Sequence, residues 1–392
     1  MMRSAARSAL WPWVKVLLLL VALDWVLFGA GLFFRVVPEF PRFPVTWGLL
    51  YRCLQKITMP PAPPRVYAVG SSIVFLGLDE RLVRNGLAER GVPGTFGALT
   101  VFGTSGVDQA LIAHEAKRTE PWLVVLTASV RDLPIGGQLD SPVQRVLFDA
   151  SVDLPALRPT DVESTLAGVV RQHWGLYRYR FFVRTVLQDW ARGLAGRLVP
   201  TMAPPPPPPP GPLPLPSDSG APVPEEATRW FFPGRITAES WAAWTRWRET
   251  RRFADYEAFL QLNRSAAIAQ YAAHTFATHG PDGNLSVEAL AWIEEDLRAA
   301  GVRVVMLAFP ENPVLQEPEA RALYETALAG ALAQRLEQDA RAHGARFVDL
   351  RRMLDPEDFY DLIHPNLSGA RKLSERLAGV IAEEWTAKAA GG

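Results

Sequence analysis

An α/β fold built on a five-stranded parallel sheet is predicted by three features. These are five short apolar runs, helical periodicity in the segments between them, and glycines at three helix-to-strand joins. The runs are Arg65 to Gly70, Thr95 to Gly103, Trp122 to Ala128, Val302 to Phe309 and Arg346 to Leu350, each rich in Val, Leu, Ile, Phe or Thr. Between them, Leu78 to Arg90, Gln109 to Arg118, Leu285 to Ala300 and Glu319 to His343 repeat apolar residues every three or four positions, the spacing of a helix with one buried face. Gly91, Gly301 and Gly344 each end such a segment just before a strand, where a helix terminus turns left-handed and disfavours a Cβ. The expected result is a sheet with helices on both faces.

The 392 residues carry 41 Lys and Arg against 41 Asp and Glu, so the chain has none of the basic excess with which a nucleic-acid binder neutralises phosphates. Cys53 is the only cysteine, which excludes an intrachain disulfide framework, and the histidines lack ligand spacing. No metal and no cofactor are expected. His114, His173, His274, His279 and His343 read as packing or surface residues.

Val16 to Phe34 is an apolar stretch with one charge, Asp24, and is long enough to cross a bilayer as a helix. Arg3, Arg7 and Lys15 precede it, which places the N-terminus in the cytoplasm and the rest of the chain across the membrane. The small residues Gly29-Ala30-Gly31 leave a cleaved signal peptide as the alternative, while the length of the run and the continuing Leu-Phe-Phe favour a retained anchor. Asp24 is costly in lipid and is expected either to face a polar partner helix or to be relieved by water.

The chain therefore divides into a tip and anchor (1–37), a Pro-rich stalk (38–64), a first part of the α/β domain (65–132), an insertion (133–284) and a second part (285–392). Within the stalk, Val45 to Ile57 reads as a short amphipathic helix suited to a membrane surface. The insertion, about 150 residues, is far longer than ordinary connections in such folds. It holds a proline-rich linker (203–226) with the unbroken run Pro204 to Pro210, expected as an extended spacer. Trp174, Tyr177, Tyr179, Trp230, Trp241, Trp244 and Trp247 read first as packing residues and second as substrate or membrane contacts.

The chemistry-bearing segments lie at opposite ends of the domain. Val66-Tyr67-Ala68-Val69-Gly70-Ser71-Ser72 is a strand ending in Gly-Ser-Ser, which delivers a serine to the carboxyl edge of the sheet. Asp361-Leu362-Ile363-His364 precedes a terminal helix, and a carboxylate and an imidazole from one loop supply two of the three roles of a nucleophile-base-orienter set. Asn366-Leu367-Ser368 matches a glycosylation pattern but reads better as the cap of that helix.

This pairing resembles the SGNH/GDSL hydrolase superfamily, whose first motif is a strand followed by Gly-Asp-Ser and whose last is Asp-x-x-His before a C-terminal helix. The resemblance extends over residues 65 to 385. The Ser at the middle position is similar to the membrane-anchored envelope acylation branch, which includes the D-alanyl transfer proteins of teichoic acid and alginate O-acetylation proteins. The resemblance implies an SGNH (flavodoxin-like) three-layer α/β/α fold, with Ser72 as nucleophile, His364 as base and Asp361 as orienter. Phe102-Gly103-Thr104-Ser105-Gly106 resembles the second motif and implies an oxyanion donor at Gly106. The family's third motif, Gly-x-Asn-Asp, falls on Ser129-Val130-Arg131-Asp132, which has no asparagine. Arg131 is then a substitute donor or an anion grip, or else forms a surface ion pair with Asp132. Asn312, in the Pro-bounded loop after the fourth strand, is a further pocket candidate.

By this resemblance the chain is a membrane-anchored acyl-ester hydrolase or transferase acting on an acylated glycan or lipid-linked substrate, beside a multi-span membrane acyltransferase. The alternatives are an envelope carboxylesterase or deacetylase and a non-catalytic carbohydrate-binding scaffold on the same fold.

Overall fold

The computed structural model describes residues 2–37, 45–129, 132, 141–154, 162–198, 284–310, 312, 329–359 and 364–391. The linker 203–226, Trp230, Trp241, Trp244, Trp247, His274, His279 and stalk residues 38–44 lie outside the described residues.

The chain begins with α1 (Met2–Asp24), which passes into a π-helical turn (Trp25–Gly29) and resumes, after Gly31, as α2 (Leu32–Val36). Next come α3 (Val45–Thr58), β1 (Arg65–Gly70), α4 (Ser72–Gly77), α5 (Glu80–Glu89), β2 (Thr95–Thr100), α6 (Gly106–Ala116) and β3 (Leu123–Ala128). The insertion contributes α7 (Pro142–Leu147), α8 (Val162–His173), α9 (Gly175–Arg178) and α10 (Arg180–Leu198). Then follow α11 (Leu285–Ala299), β4 (Arg303–Ala308), α12 (Ala329–Ala342), β5 (Arg346–Asp349) and α13 (Leu367–Gly391). Residues 319–328 of the helix expected from Glu319 to His343 lie outside the described residues.

All five expected strands form, in one parallel sheet of order β2-β1-β3-β4-β5. Gly91, Gly301 and Gly344 take positive φ of 67, 76 and 68°, as the helix-stop reading requires. The chain moves outward from β1 to β2, then back across β1 to β3 and on to β5. Right-handed crossovers made in opposite directions put their helices on opposite faces. Accordingly, Val66, Ala68 and Val125 face a core completed by α4, α5 and α13, through residues such as Val74, Val83 and Leu377. Tyr67, Val69 and Leu126 face the other core, built from α3, α6, α11 and α12, through Leu54, Ala113, Ile293 and Leu336.

The N-terminal segment departs from expectation. A helix long and apolar enough to cross a membrane covers Trp11–Gly29, with mean hydropathy 1.8, and by length and composition suits a single pass or a signal sequence. It does not continue to Phe34, because Gly31 turns left-handed at φ 68° and α2 folds back on the domain. Phe33 and Phe34 are then 6% and 1% exposed, packed with Phe28, Tyr51 and Tyr179. Burying a Phe side chain contributes about 1.5–3 kcal/mol, and these two gain it in the protein core.

The stalk reading also fails for residues 45–58. Their helix is amphipathic, but Leu49, Leu50, Tyr51, Cys53, Leu54 and Ile57 are buried against the domain, so the apolar face is core and not a membrane-surface face. Lys56 fastens the polar side, donating to the Ala98 carbonyl at 2.8 Å and pairing with Glu80. Burial pushes the Cys53 thiol up to about 12.

Asp24 finds polar partners on another helix of its own chain. Its two carboxylate oxygens accept the N–H groups of Gly175, at 3.1 Å, and Leu176, at 2.5 Å, the first two donors of α9. A carboxylate at a helix N-terminus satisfies groups that have no intrahelical acceptor. The span and the insertion are thereby joined within the chain. Of the aromatics expected as packing residues, Tyr179 is buried on Phe28 and Phe34, Tyr177 lies under Arg180, and Trp174 is exposed.

Candidate active site

In an open parallel sheet, loops leaving two neighbouring strands in opposite directions open a crevice at the strands' carboxyl ends. Here that point lies between β1 and β3, and Ser72 opens the helix that follows β1 after the single residue Ser71.

Local chemistry explains how the serine is presented. A Cβ at Gly70 would come within 2.3 Å of both Thr127 Oγ1 and Val74, so only glycine lets β1 turn into α4 beside β3. The Thr127 hydroxyl is itself bound to the Val69 carbonyl at 2.9 Å, which fixes the two strands under the turn. Ser71 is buried and caps α4, its Oγ accepting from the Ile73 N–H at 3.3 Å. Ser72 occupies the first helical position and is half-buried.

His364 arrives from the far end of the sequence on a loop pinned at both sides. Phe359 and Pro365 form an antiparallel bridge, and the Asn366 N–H donates to the Asp358 carbonyl at 2.7 Å. Asn366 Oδ1 accepts from Ser368 and Gly369 N–H at 2.9 and 3.2 Å, which makes it the cap of α13 that the sequence indicates. Lys372, one α13 turn further, donates to buried Asp358 at 2.6 Å. The outcome is a distance of 3.0 Å between Ser72 Oγ and His364 Nε2. With the imidazole proton on Nδ1, Nε2 accepts the serine hydroxyl, the arrangement a general base needs. Asp361 lies outside the described residues, as do Val130 and Arg131.

The loop after β2 runs beside α4, where Phe102 meets Phe75 edge-on at 5.1 Å. Gly106 opens α6, three residues earlier than the sequence pattern indicates, and is buried. A Cβ there would lie 2.7 Å from the Ser286 carbonyl, so close approach of α6 to α11 is one reason for the glycine. Asp132 is 4% exposed, with its N–H on the Ser129 carbonyl at 3.0 Å, and its expected partner Arg131 lies outside the described residues. Asn312, beyond β4 at the same edge, is fully buried.

One residue at this edge escaped the sequence reading. Asp108 is 3% exposed and accepts from the Ser105 N–H, Gln144 and Ser141 at 3.0, 3.1 and 2.5 Å, tying the β2 loop to α7. Burial pushes its carboxyl up, against the opposing effect of those bonds. Ser105-x-x-Asp108 is a capping-box spacing, the signal that could have located it.

A second Ser-His-Asp set is present and differs in its connections. His114 Nδ1 is 2.9 Å from Asp296 and Nε2 is 3.2 Å from Ser151 Oγ. Lys117, however, donates to both Asp296 oxygens at 2.6 and 2.7 Å, and the Ser151 hydroxyl donates to Asp149. Burial raises the Asp296 carboxyl, but His114 and Lys117 outweigh it and hold the group below the usual range. The serine proton is committed elsewhere, and His114 sits at the end of α6 remote from the carboxyl edge, so this set is packing, as expected for His114. Among the described residues no cluster of His, Cys, Asp or Glu is arranged to hold a metal.

No family model matches the chain, and no curated protein matches it.

Proposed function

We propose that this chain is a membrane-anchored serine acyl-ester hydrolase or transferase of the SGNH type. The observation that carries the reading is the 3.0 Å contact of Ser72 Oγ with His364 Nε2 at the switch point of a parallel sheet. In the proposed reaction His364 takes the Ser72 proton as Oγ attacks an ester carbonyl. The ester C–O bond then breaks, and the leaving oxygen receives that proton. Water, or a sugar hydroxyl deprotonated by His364, next displaces Ser72 from the acyl group. Asp361 is assigned to hold the imidazole, and the N–H groups of Ser72 and Gly106 to receive the negative oxygen, with Arg131 and Asn312 lining the pocket.

Retention of the anchor is supported by its contacts. Cleavage at Gly29-Ala30-Gly31 would remove Asp24 from α9 and Phe28 from Tyr179. Basic residues before the span favour a reading with the domain on the non-cytoplasmic side. An acylated envelope glycan or lipid-linked glycan is the assigned substrate class, with a multi-span acyltransferase as partner.

The test is covalent labelling of the full-length protein by a fluorophosphonate probe, followed by turnover of an acetylated oligosaccharide. Labelling that is lost in Ser72→Ala and reduced at least tenfold in His364→Ala supports the reading. Equal labelling of wild type and Ser72→Ala overturns it. Acetyl transfer to added glycan in excess of hydrolysis assigns transferase over esterase.

A further inference from the structure

Among the described residues, exposed large apolar side chains fall almost entirely in two places. They lie along the N-terminal segment Trp11–Val36 and on α8–α10, with only Met59 and Leu367 elsewhere. On α10, Leu187, Trp190 and Leu194 recur at spacings of three and four, one helical face, and Leu187 and Trp190 are 57% and 67% exposed. An open apolar groove beside them is bordered by Arg180 and Arg184, both exposed. A clustered apolar face with guanidinium groups at its border has the chemistry of a helix lying in the headgroup layer of a bilayer with anionic lipid.

The position of this face relative to the span commits it to that occupant. Crossing about 30 Å of hydrocarbon takes about 20 helical residues, whereas Trp11 to Asp24 is only about 20 Å of helix. The hydrocarbon boundary therefore lies beyond Asp24, towards Gly29, about 7 Å further along the axis. Asp24 holds the N–H groups of Gly175 and Leu176, so the start of α9 is carried to the same depth. The adjacent Trp174 is exposed there, about 7 Å inside that boundary and within side-chain reach of the level where indole rings concentrate in membrane proteins.

We infer that α9 and α10 lie in the bilayer interface beside the span, with Trp174, Leu187, Trp190 and Leu194 inserted below the headgroups and Arg180 and Arg184 on anionic phosphates. The inference rests on reading Trp11–Gly29 as a membrane span. It adds a second membrane contact, so that the α/β domain is held at two points.

The test uses full-length protein in nanodiscs of phosphatidylcholine and phosphatidylglycerol, with single nitroxide labels at Leu187→Cys, Trp190→Cys, Leu18→Cys in the span and Glu383→Cys on the distant α13. Native Cys53 is buried and poorly accessible to the label. Collision rates with oxygen and with a water-soluble nickel chelate are compared. Expected are oxygen-to-nickel ratios at 187 and 190 several-fold above that at 383 and close to that at 18, with nickel collisions rising when phosphatidylglycerol is omitted. Ratios at 187 and 190 equal to that at 383, with 18 still lipid-like, overturn the inference and leave the anchor standing. A water-like ratio at 18 overturns both. Labels at 187 shielded from both reagents and broadened by a second nitroxide overturn it in favour of a second copy of the chain.

Discussion

Arg178 Nη2 lies 2.7 Å from Glu115 Oε2, with the two side chains only 4% and 7% exposed. The guanidinium also faces Asp149 at 3.5 Å and donates to the Val146 carbonyl at 3.1 Å, so one side chain joins α9 to α6 and α7. Removing it leaves two buried carboxylates with the more exposed Arg118 as a remaining cation, 3.1 Å from Glu115 and 3.9 Å from Asp149. Arg178→Met is expected to destabilise the protein by up to about 3–5 kcal/mol, and Glu115→Gln by less, in urea unfolding in detergent. An Arg178→Met protein as stable as wild type would show that the pair does not hold the insertion.

Asp24 offers a more local test. Asp24→Ala removes both acceptors from the start of α9 and is expected to cost about 0.5–2 kcal/mol, the range for loss of an N-cap. Hydrogen exchange at Gly175 and Leu176 should quicken, while Asp24→Asn, which keeps one acceptor oxygen, should recover part of the protection. Unchanged exchange at those two amides in Asp24→Ala would contradict the cap.

Glu294 on α11 supplies a pH dependence. It is 1% exposed, and burial, with Asp339 nearby adding to it, pushes its carboxyl up to about 8 from the usual 4.5. His343 Nδ1 lies 3.3 Å away. Because the folded state keeps a proton that the unfolded chain releases, the contribution to stability is full below about 4.5 and is lost as pH rises towards 8. The loss amounts to about 1.4 kcal/mol per pH unit at most. Glu294→Gln, permanently neutral, is expected to flatten that slope. Urea midpoints measured between pH 5 and 8 check it, and parallel slopes in the two proteins would refute it.

The adjacent serines separate by role. Ser71→Ala loses the α4 cap and should cost about 1 kcal/mol while keeping fluorophosphonate labelling. Ser72→Ala should lose labelling with little change in melting temperature. The opposite pattern would reassign the nucleophile.

The sheet was legible because β-branched runs and left-handed glycines are local signals: Val304–Val305 and Gly301 mean the same thing in any context. The convergence of Ser72 with His364 could be expected only through the order of the two motifs, since nothing local records a contact across 292 residues. Phe33 and Phe34 misled because transfer into lipid and transfer into a protein core look alike in sequence, and the break depends on one left-handed glycine. The Val45–Thr58 helix was misassigned for the same reason, as its apolar face suits either a bilayer surface or a core. Asp24 had no readable partner, because the amides it binds lie 151 and 152 residues away.

The fold-back at Gly31 has a mechanical consequence. With Phe28, Phe33 and Phe34 locked into the same aromatic cluster as Tyr51 and Tyr179, the N-terminal helix is a fixed mount and not a swivelling tether. Once that helix is embedded, the height and tilt of the β1–β3 crevice are set by geometry. Under the proposed function, the substrate then has to come to the crevice, because the crevice cannot swing out to search for it.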